Sequence, residues 1–377
     1  MAGIYIHIPF CKQACHYCDF HFSTSLKKKE DMINAMVKEL KLRQHEVAEE
    51  TIDSIYFGGG TPSLLSIDEI QLFIHEINQV FKLDDNAEVT LEANPDDLTK
   101  LYLKELSKSE VNRLSIGVQS FHDKDLRLMN RAHNSEMALD CLKEALLLFD
   151  NISIDLIYGI PGAGHEDWLE NIKIALSFNI PHISCYALTV EPKTALASFV
   201  EKGIVPKPDD AEAEEQFFML IEKLEEAGFV HYELSNFGKP GFFSRNNTAY
   251  WQGKPYLGIG PSAHSYNGFK RSWNIRNNSL YLKSIAEGIV PAETEELTKT
   301  DRFNELVMTG LRTIWGISIE QVEREFGMQF KDYLLIQAQE KIDQHLLYID
   351  DGKIHVSKKG KFLSDGIASS LFKLNLK

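Results

Sequence analysis

The chain has 377 residues, enough for one unit of about 200–250 residues and a smaller second one. Its 44% hydrophobic and 25% charged content is ordinary for a globular protein, and its formal net charge of -15 argues against broad binding to nucleic acid or anionic membranes, which needs clustered Lys and Arg. No stretch approaches the ~20 apolar residues of a transmembrane helix, and no basic region with an apolar core marks a signal peptide.

Short β-rich runs alternate with longer amphipathic stretches. The runs are 4–8 (IYIHI), 54–59, 88–93, 113–118, 152–159 and 182–190. Between them, 31–50, 67–81 and 134–149 carry helical periodicity, and Lys27-Lys28-Lys29 reads as a solvated helix start. Six β-α units in series predict an α/β fold, a partial (β/α)6 barrel with its chemistry at the C-terminal strand ends. After residue 200 the pattern changes. Pro206 and Pro208 mark a connection and 210–228 reads as a helix. The stretch 237–297, rich in Gly, Asn and aromatics, predicts an irregular covering segment. From 298 onward, helices over 301–313, 318–326 and 330–345 precede a hairpin turning at Asp351-Gly352, a winged-helix-like pattern. The expected units are therefore 1–236, 237–297 and 298–377.

Three of the five cysteines crowd into HIPFCKQACHYCDFHF, as Cys11, Cys15 and Cys18. This suits metal binding in a reducing compartment better than a disulfide framework, so the expected location is the cytoplasm. A [4Fe-4S] cluster usually takes four thiolates, so three leave one iron open to a ligand. A structural zinc site wants four protein ligands, for which His16, Asp19 or His21 are candidates. Cys15 and Cys18 also match a CxxC redox pair, which leaves Cys11 unused. Cys141 and Cys185 read as buried small hydrophobes, and His7 as a satisfied core histidine.

The motif HIPFCxxxCxxC resembles the radical SAM superfamily, in its branch of oxygen-independent coproporphyrinogen III oxidase-like proteins. The resemblance runs from residue 4 to the C-terminal SDGIASSLF. It implies that S-adenosylmethionine (SAM) chelates the open iron and that one electron cleaves it to a 5′-deoxyadenosyl radical. It also implies SAM or cluster contacts at Tyr5, Tyr17, Gly59, Gly60, Thr61, Glu92, Gln119, Arg131, Asp155 and Ala187. Independently, Phe57-Gly58-Gly59-Gly60-Thr61 at a strand end lets backbone amides approach a ligand closely. Glu92 inside an apolar strand needs a partner, because burying it alone costs several kcal/mol.

The oxidases of this branch continue to a fourth cysteine, CxxxCxxCxC, and carry an N-terminal extension. Here the position is Phe20, and only three residues precede Ile4. Both departures resemble the haem-chaperone (HemW) group, which implies haem as a ligand, haem-dependent proteins as acceptors and an electron donor that the sequence does not name. That group carries HNxxYW; this chain has Asn246-Asn247-Thr248-Ala249-Tyr250-Trp251, with Asn in place of the His. Asn247, Tyr250, Trp251 and His264 are the candidate haem contacts. The competing readings are a coproporphyrinogen III oxidase and, from another class, a zinc- or cluster-stabilised binding protein without radical chemistry.

Overall fold

The structure is a computed structural model that describes residues 1–47 and 50–374. Six parallel strands, β1 (Ala2–Ile8), β2 (Thr51–Gly59), β3 (Lys82–Ala93), β4 (Arg113–Gln119), β5 (Ile152–Tyr158) and β6 (His182–Ala187), lie in sequence order, joined by helical crossovers. They continue into β7 (Val230–Glu233), β8 (Asn236–Gly238), β9 (Tyr256–Ile259), β10 (His264–Tyr266), β11 (Lys270–Asn274) and β12 (Ala292–Glu296). The order is β12-β11-β10-β9-β1-β2-β3-β4-β5-β6-β8-β7, so the sheet has two free ends and the barrel stays open.

The strands alternate in a way their apolar look conceals. Ile4, Ile6, Leu91, Leu114, Ile116, Ile152 and Ile154 are fully buried in the core under the helices. The positions between them are polar: Tyr5 and His7, Tyr56, Thr90 and Glu92, Arg113, Ser115 and Gln119, Ser153 and Asp155. Successive strand side chains point to opposite faces. One face therefore drives folding through burial, and the other lines a polar lumen.

Helix starts follow local chemistry. Ser66 caps Ile67–Val80 by accepting from the Glu69 amide, and the Glu69 carboxylate accepts from the Ser66 amide. This closes a capping box. Thr298 and Asp301 do the same for Lys299–Leu311. The first helix is Lys29–Leu42, shorter than the 31–50 expected; residues 48 and 49 lie outside the described ones.

The stretch 237–297 departs most from expectation. It is not irregular: it carries β9 to β12, and β9 pairs in parallel with β1, Gly3 to Tyr256 through Ile6 to Ile259. Its strands are only three to five residues long, too short to show a period. A fully buried carboxylate fastens it. Glu39, from the first helix, accepts from Arg43 (3.0 Å), the Gly260 amide (2.8 Å), Asn274 (2.7 Å) and the Tyr281 hydroxyl.

The C-terminal part has its own core, with Phe303, Val307, Val322, Leu334, Ile354 and Leu371 buried together. Strands β13 (Ile317–Ser318), β14 (Leu347–Asp350) and β15 (Lys353–Val356) form its sheet in the order β13-β15-β14. Asp350 pairs with Lys353, and Asp351 and Gly352 have φ of 43° and 69°. This is the two-residue turn that Asp-Gly favours. Residues 375–377 lie outside the described ones.

Candidate functional site

A cavity of about 630 Å³ opens at the C-terminal ends of β1 to β6. Its lining includes Cys11, Cys15, Cys18, Tyr17, Gly59, Gly60, Thr61, Glu92, Gln119, Arg131, Asp155 and Ala187. The sequence spreads these twelve over 177 positions, from 11 to 187; the strand ends bring them to one mouth. Tyr5 is the exception among the expected SAM and cluster contacts. It sits lower on β1, its ring stacked on Tyr56 with centroids 6.0 Å apart.

The cysteine loop is tied down on two sides. The Thr61 amide donates to the Phe10 carbonyl (2.7 Å) and the Gly60 amide to the Ile8 carbonyl (2.8 Å). A Cβ on Gly60 would stand 2.5 Å from the Phe10 carbonyl oxygen, so only glycine lets the two segments meet there. The amides of Gly60 and Thr61 thus hold the cysteine loop, and the Gly59 amide donates to Glu92. On the other side the His16 amide donates to the Met129 carbonyl (3.0 Å), Gln13 to the Asn130 carbonyl (2.7 Å) and Asn130 to the Ala14 carbonyl (2.7 Å).

All five cysteines are free. Burial pushes the Cys11 thiol up to about 11, against a hydrogen bond from Thr61 and the attraction of Arg131, and it raises Cys18 as well. Such thiols lose their protons most readily to a metal. Arg131 places Nη1 3.4 Å from Cys15 Sγ while Nη2 donates to Asn94 and, at 2.8 Å, to the Gly117 carbonyl. Its Nε is buried with no partner. Among the described residues, no three His, Cys, Asp or Glu side chains converge on a point tightly enough for one ion. Three thiols spread around an opening, beside an Arg and a polar cavity, fit a cluster with an attached ligand better than a closed four-ligand zinc site.

The two carboxylates are held differently. Glu92 accepts from the Tyr56 hydroxyl at 2.7 Å and from the Gly59 amide, yet burial lifts it to about 7. Asp155, 3.3 Å from Ser115 Oγ, is lifted by burial to about 6, against the pull of Arg113 below it. Gln119 ends β4 with φ 68°, in the left-handed region. That costs about 1–3 kcal/mol for a non-glycine, and the ladder to β5 shifts register there. The bend leaves Gln119 lining the cavity. Asn94, Ser115 and Gly117 also line it. An inward period of two on β4, through Ser115, Gly117 and Gln119, would have found the last two.

The candidate haem contacts lie elsewhere and are split. Tyr250 and Trp251 line a second cavity of about 530 Å³, between β9 to β11 and the C-terminal core. The Asn247 amide donates to Ser244 Oγ in the first turn of Arg245–Trp251, and its side chain lines neither cavity. His264 is exposed on β10 beside Trp273 and also lines neither. His7, Cys141 and Cys185 are buried, and His7 Nε2 lies 3.0 Å from the His21 carbonyl.

A six-stranded parallel half-barrel with three cysteines after its first strand and a polar cavity at its mouth matches one class. The Radical SAM superfamily model matches residues 5–175, and the HemN C-terminal domain model matches 297–363. The chain belongs to the radical SAM superfamily. Within it, the chain aligns with "Heme chaperone HemW" of Bacillus subtilis at 33% identity, over 97% of this chain and 98% of that one, and with the protein of the same name from Lactococcus lactis at 34% over 96% and 95%. A mouse protein, "Radical S-adenosyl methionine domain-containing protein 1, mitochondrial", is 33% identical over 98% of this chain and 87% of its own. Its protein class is thus HemW-like. The solved structure of coproporphyrinogen III oxidase (HemN) from Escherichia coli superposes with TM-score 0.85 over 99% of this chain and 90% of that one. At 23% identity it speaks for the fold alone. Family membership implies a [4Fe-4S] cluster and SAM. No helix among the described residues is long and apolar enough to cross a membrane.

Proposed function

We propose that the protein carries haem to haem-dependent acceptors in the cytoplasm, and that it holds a [4Fe-4S] cluster on Cys11, Cys15 and Cys18 with SAM in the adjoining cavity. The observation that carries this reading is at position 20. Phe20, 65% exposed at the cavity mouth, stands where the oxidase motif has its fourth cysteine. The names of the full-length relatives point the same way.

Cys11, Cys15 and Cys18 would hold the cluster by three thiolates and leave one iron open to SAM. When bound, the cluster and SAM supply one-electron chemistry. The chain's own residues do the rest. Arg131 balances negative charge beside Cys15. Ionised Glu92 and Asp155 would accept from the ribose hydroxyls of SAM or from the N–H groups of its amine. Gln119 offers an amide to the same ligand. The loops 57–63 and 129–131 fix the cysteine segment against the strand ends.

The test pairs two assays on anaerobic protein. One supplies coproporphyrinogen III, SAM and a strong reductant, and the expected result is no protoporphyrinogen. The other mixes haem-loaded protein with an apo-haemoprotein, and the expected result is transfer. Steady production of protoporphyrinogen assigns the chain to the oxidases instead.

A further inference from the structure

Beneath the first cavity, the lumen of the half-barrel holds a buried cation. Arg113 is the largest fully buried side chain of the described residues, 1% exposed. It makes no ion pair among them, and its Nε has no hydrogen-bond partner. Its Nη2 lies 3.4 Å from His182 Nδ1. His182 also meets Ser153 Oγ through Nδ1 at 2.7 Å and the Tyr232 hydroxyl through Nε2 at 2.8 Å. Burial, and then Arg113 itself, hold His182 well below the usual histidine range. The ring is therefore neutral and offers an acceptor, not a counter-charge. Buried charges are normally paired, so the charge that answers Arg113 lies further along the lumen.

Strand register shows where it is. Arg113 is level with Thr90 on β3, Ser115 with Glu92, and Gly117 with Asp155 on β5. Both carboxylates stand above Arg113 on the way to the mouth, two and four residues along β4, or on the order of 7 and 13 Å at 3.3 Å per residue. His182 is level with Ser153, and Ser153 with Ser115. A guanidinium that reaches His182 thus ends near the level of Glu92, which shortens both distances. In a lumen shielded from water, charges act over such distances more strongly than in solvent. The other charged groups that face this space are engaged elsewhere. Glu88 accepts from the Arg245 amide (2.9 Å), Glu233 from Asn236 and the Ser235 amide (3.1 Å), and Arg131 turns to Cys15 and Asn94. Burial keeps the hydroxyls of Tyr5, Tyr56, Tyr186 and Tyr232 and the Cys185 thiol protonated. Burial also raises both carboxyls. Against it, Arg113 is the strongest opposing influence at Asp155, and it acts the same way at Glu92, behind the bonds from Tyr56 and Gly59.

We propose that Arg113 is a positioning residue for the first cavity: a fixed positive charge below Glu92 and Asp155 that keeps both as carboxylates, so that they accept hydrogen bonds from the amine and ribose of SAM. It rests on the SAM reading of that cavity and deepens it, because Arg113 does not itself line the cavity. Without the cation, burial and the mutual repulsion of the two carboxylates would favour the protonated form of both. Each would then turn an O–H donor toward a ligand that offers donors. The missing ion pair is what makes the arrangement work. The neutral His182 ring holds the guanidinium in place, whereas a carboxylate at that position would cancel its charge before it reached the mouth.

Two measurements on the anaerobic, cluster-loaded protein test this. Difference infrared spectroscopy from pH 5 to 9, without SAM, follows the protonated carboxyls, and Glu92→Gln and Asp155→Asn identify their bands. The wild type is expected to titrate near about 7 and about 6. Arg113→Met should move both midpoints up by about one pH unit, and Arg113→Lys should return them toward the wild type. Equilibrium binding of SAM over the same range should show Arg113→Met about tenfold weaker at pH 7, with the loss recovered by pH 9. Circular dichroism and iron content establish that each variant is folded and loaded. Should Arg113→Met not fold, Arg113→Gln, which keeps a donor for His182 without the charge, takes its place. If the variant binds SAM more weakly by one factor at every pH, with both midpoints unmoved, Arg113 only fills the lumen and the proposal is overturned. If the midpoints move and the wild type binds no SAM at any pH, the SAM reading fails while the control of the two carboxylates by Arg113 holds.

Discussion

The two cavities of this protein are built from different material. The first, at the C-terminal strand ends, is lined by thiols, carboxylates and an arginine, carried there by the inward positions of six strands and the loops that follow them. The second, toward the opposite end of β1, is lined by aromatic and polar side chains in mixture and faces a separate core. Strand periodicity makes the first: a lumen residue recurs every second position, so a polar choice there costs the outer core nothing. The second arises where the short-stranded annex, residues 237–297, meets the C-terminal part. One sheet thus carries two cavities that share no lining residue.

The sharpest way to break that separation is to empty one cavity and watch the other. A Cys11/Cys15/Cys18→Ala variant should lose all iron, sulfide and colour, while its hemin affinity stays that of the wild type. Loss of hemin binding in this variant would mean that the two sites are one. The next effect concerns the annex that bears the second cavity. Glu39→Ala removes the carboxylate to which Arg43, Gly260, Asn274 and Tyr281 all donate, and leaves the half-exposed Glu46 as the one carboxylate paired with the buried Arg43 among the described residues. The expected loss is about 3–5 kcal/mol, read from the denaturant midpoint. Gly60→Ala should cost less, about 1–3 kcal/mol, because the clash with the Phe10 carbonyl oxygen must displace the cysteine loop. Its clearer readout is lower iron content at equal protein, with hemin binding unchanged.

A fourth prediction uses charge. Burial lifts Glu92 to about 7 in the empty cavity. A ligand that donates hydrogen bonds to the carboxylate favours the ionised form. SAM affinity should therefore rise with pH toward 7 and level off above it, by at most about tenfold per unit. Equilibrium binding of SAM from pH 5.5 to 8 reads this directly. Glu92→Gln should flatten the profile, leaving only the contribution of Asp155, lifted to about 6. The smallest expected effect is none at all. His264→Ala should leave hemin binding unchanged, since His264 lines neither cavity.

Much of this was legible in the sequence, and the parts that were not share a cause. The βα series and the Asp351-Gly352 turn are set by local periodicity and backbone preference, which a linear reading sees. The crowding of Cys11, Cys15 and Cys18 is local too. The lumen was half visible. Runs such as ISIDLIYG look apolar throughout, yet Ser153 and Asp155 occupy every second position. The annex was missed because strands of three to five residues carry no period, and its main fastening is a carboxylate on a helix more than 200 positions away.

The central claim is that a [4Fe-4S] cluster on three cysteines presents an open iron to SAM in the first cavity. Electron paramagnetic resonance of the anaerobic, reduced protein tests it, recorded before and after SAM is added and calibrated against iron and sulfide content. The account predicts ~4 iron and ~4 sulfide per chain, and a spectrum that shifts when SAM binds. Protein that holds zinc without iron, or a cluster whose spectrum ignores SAM at saturating concentration, would contradict it.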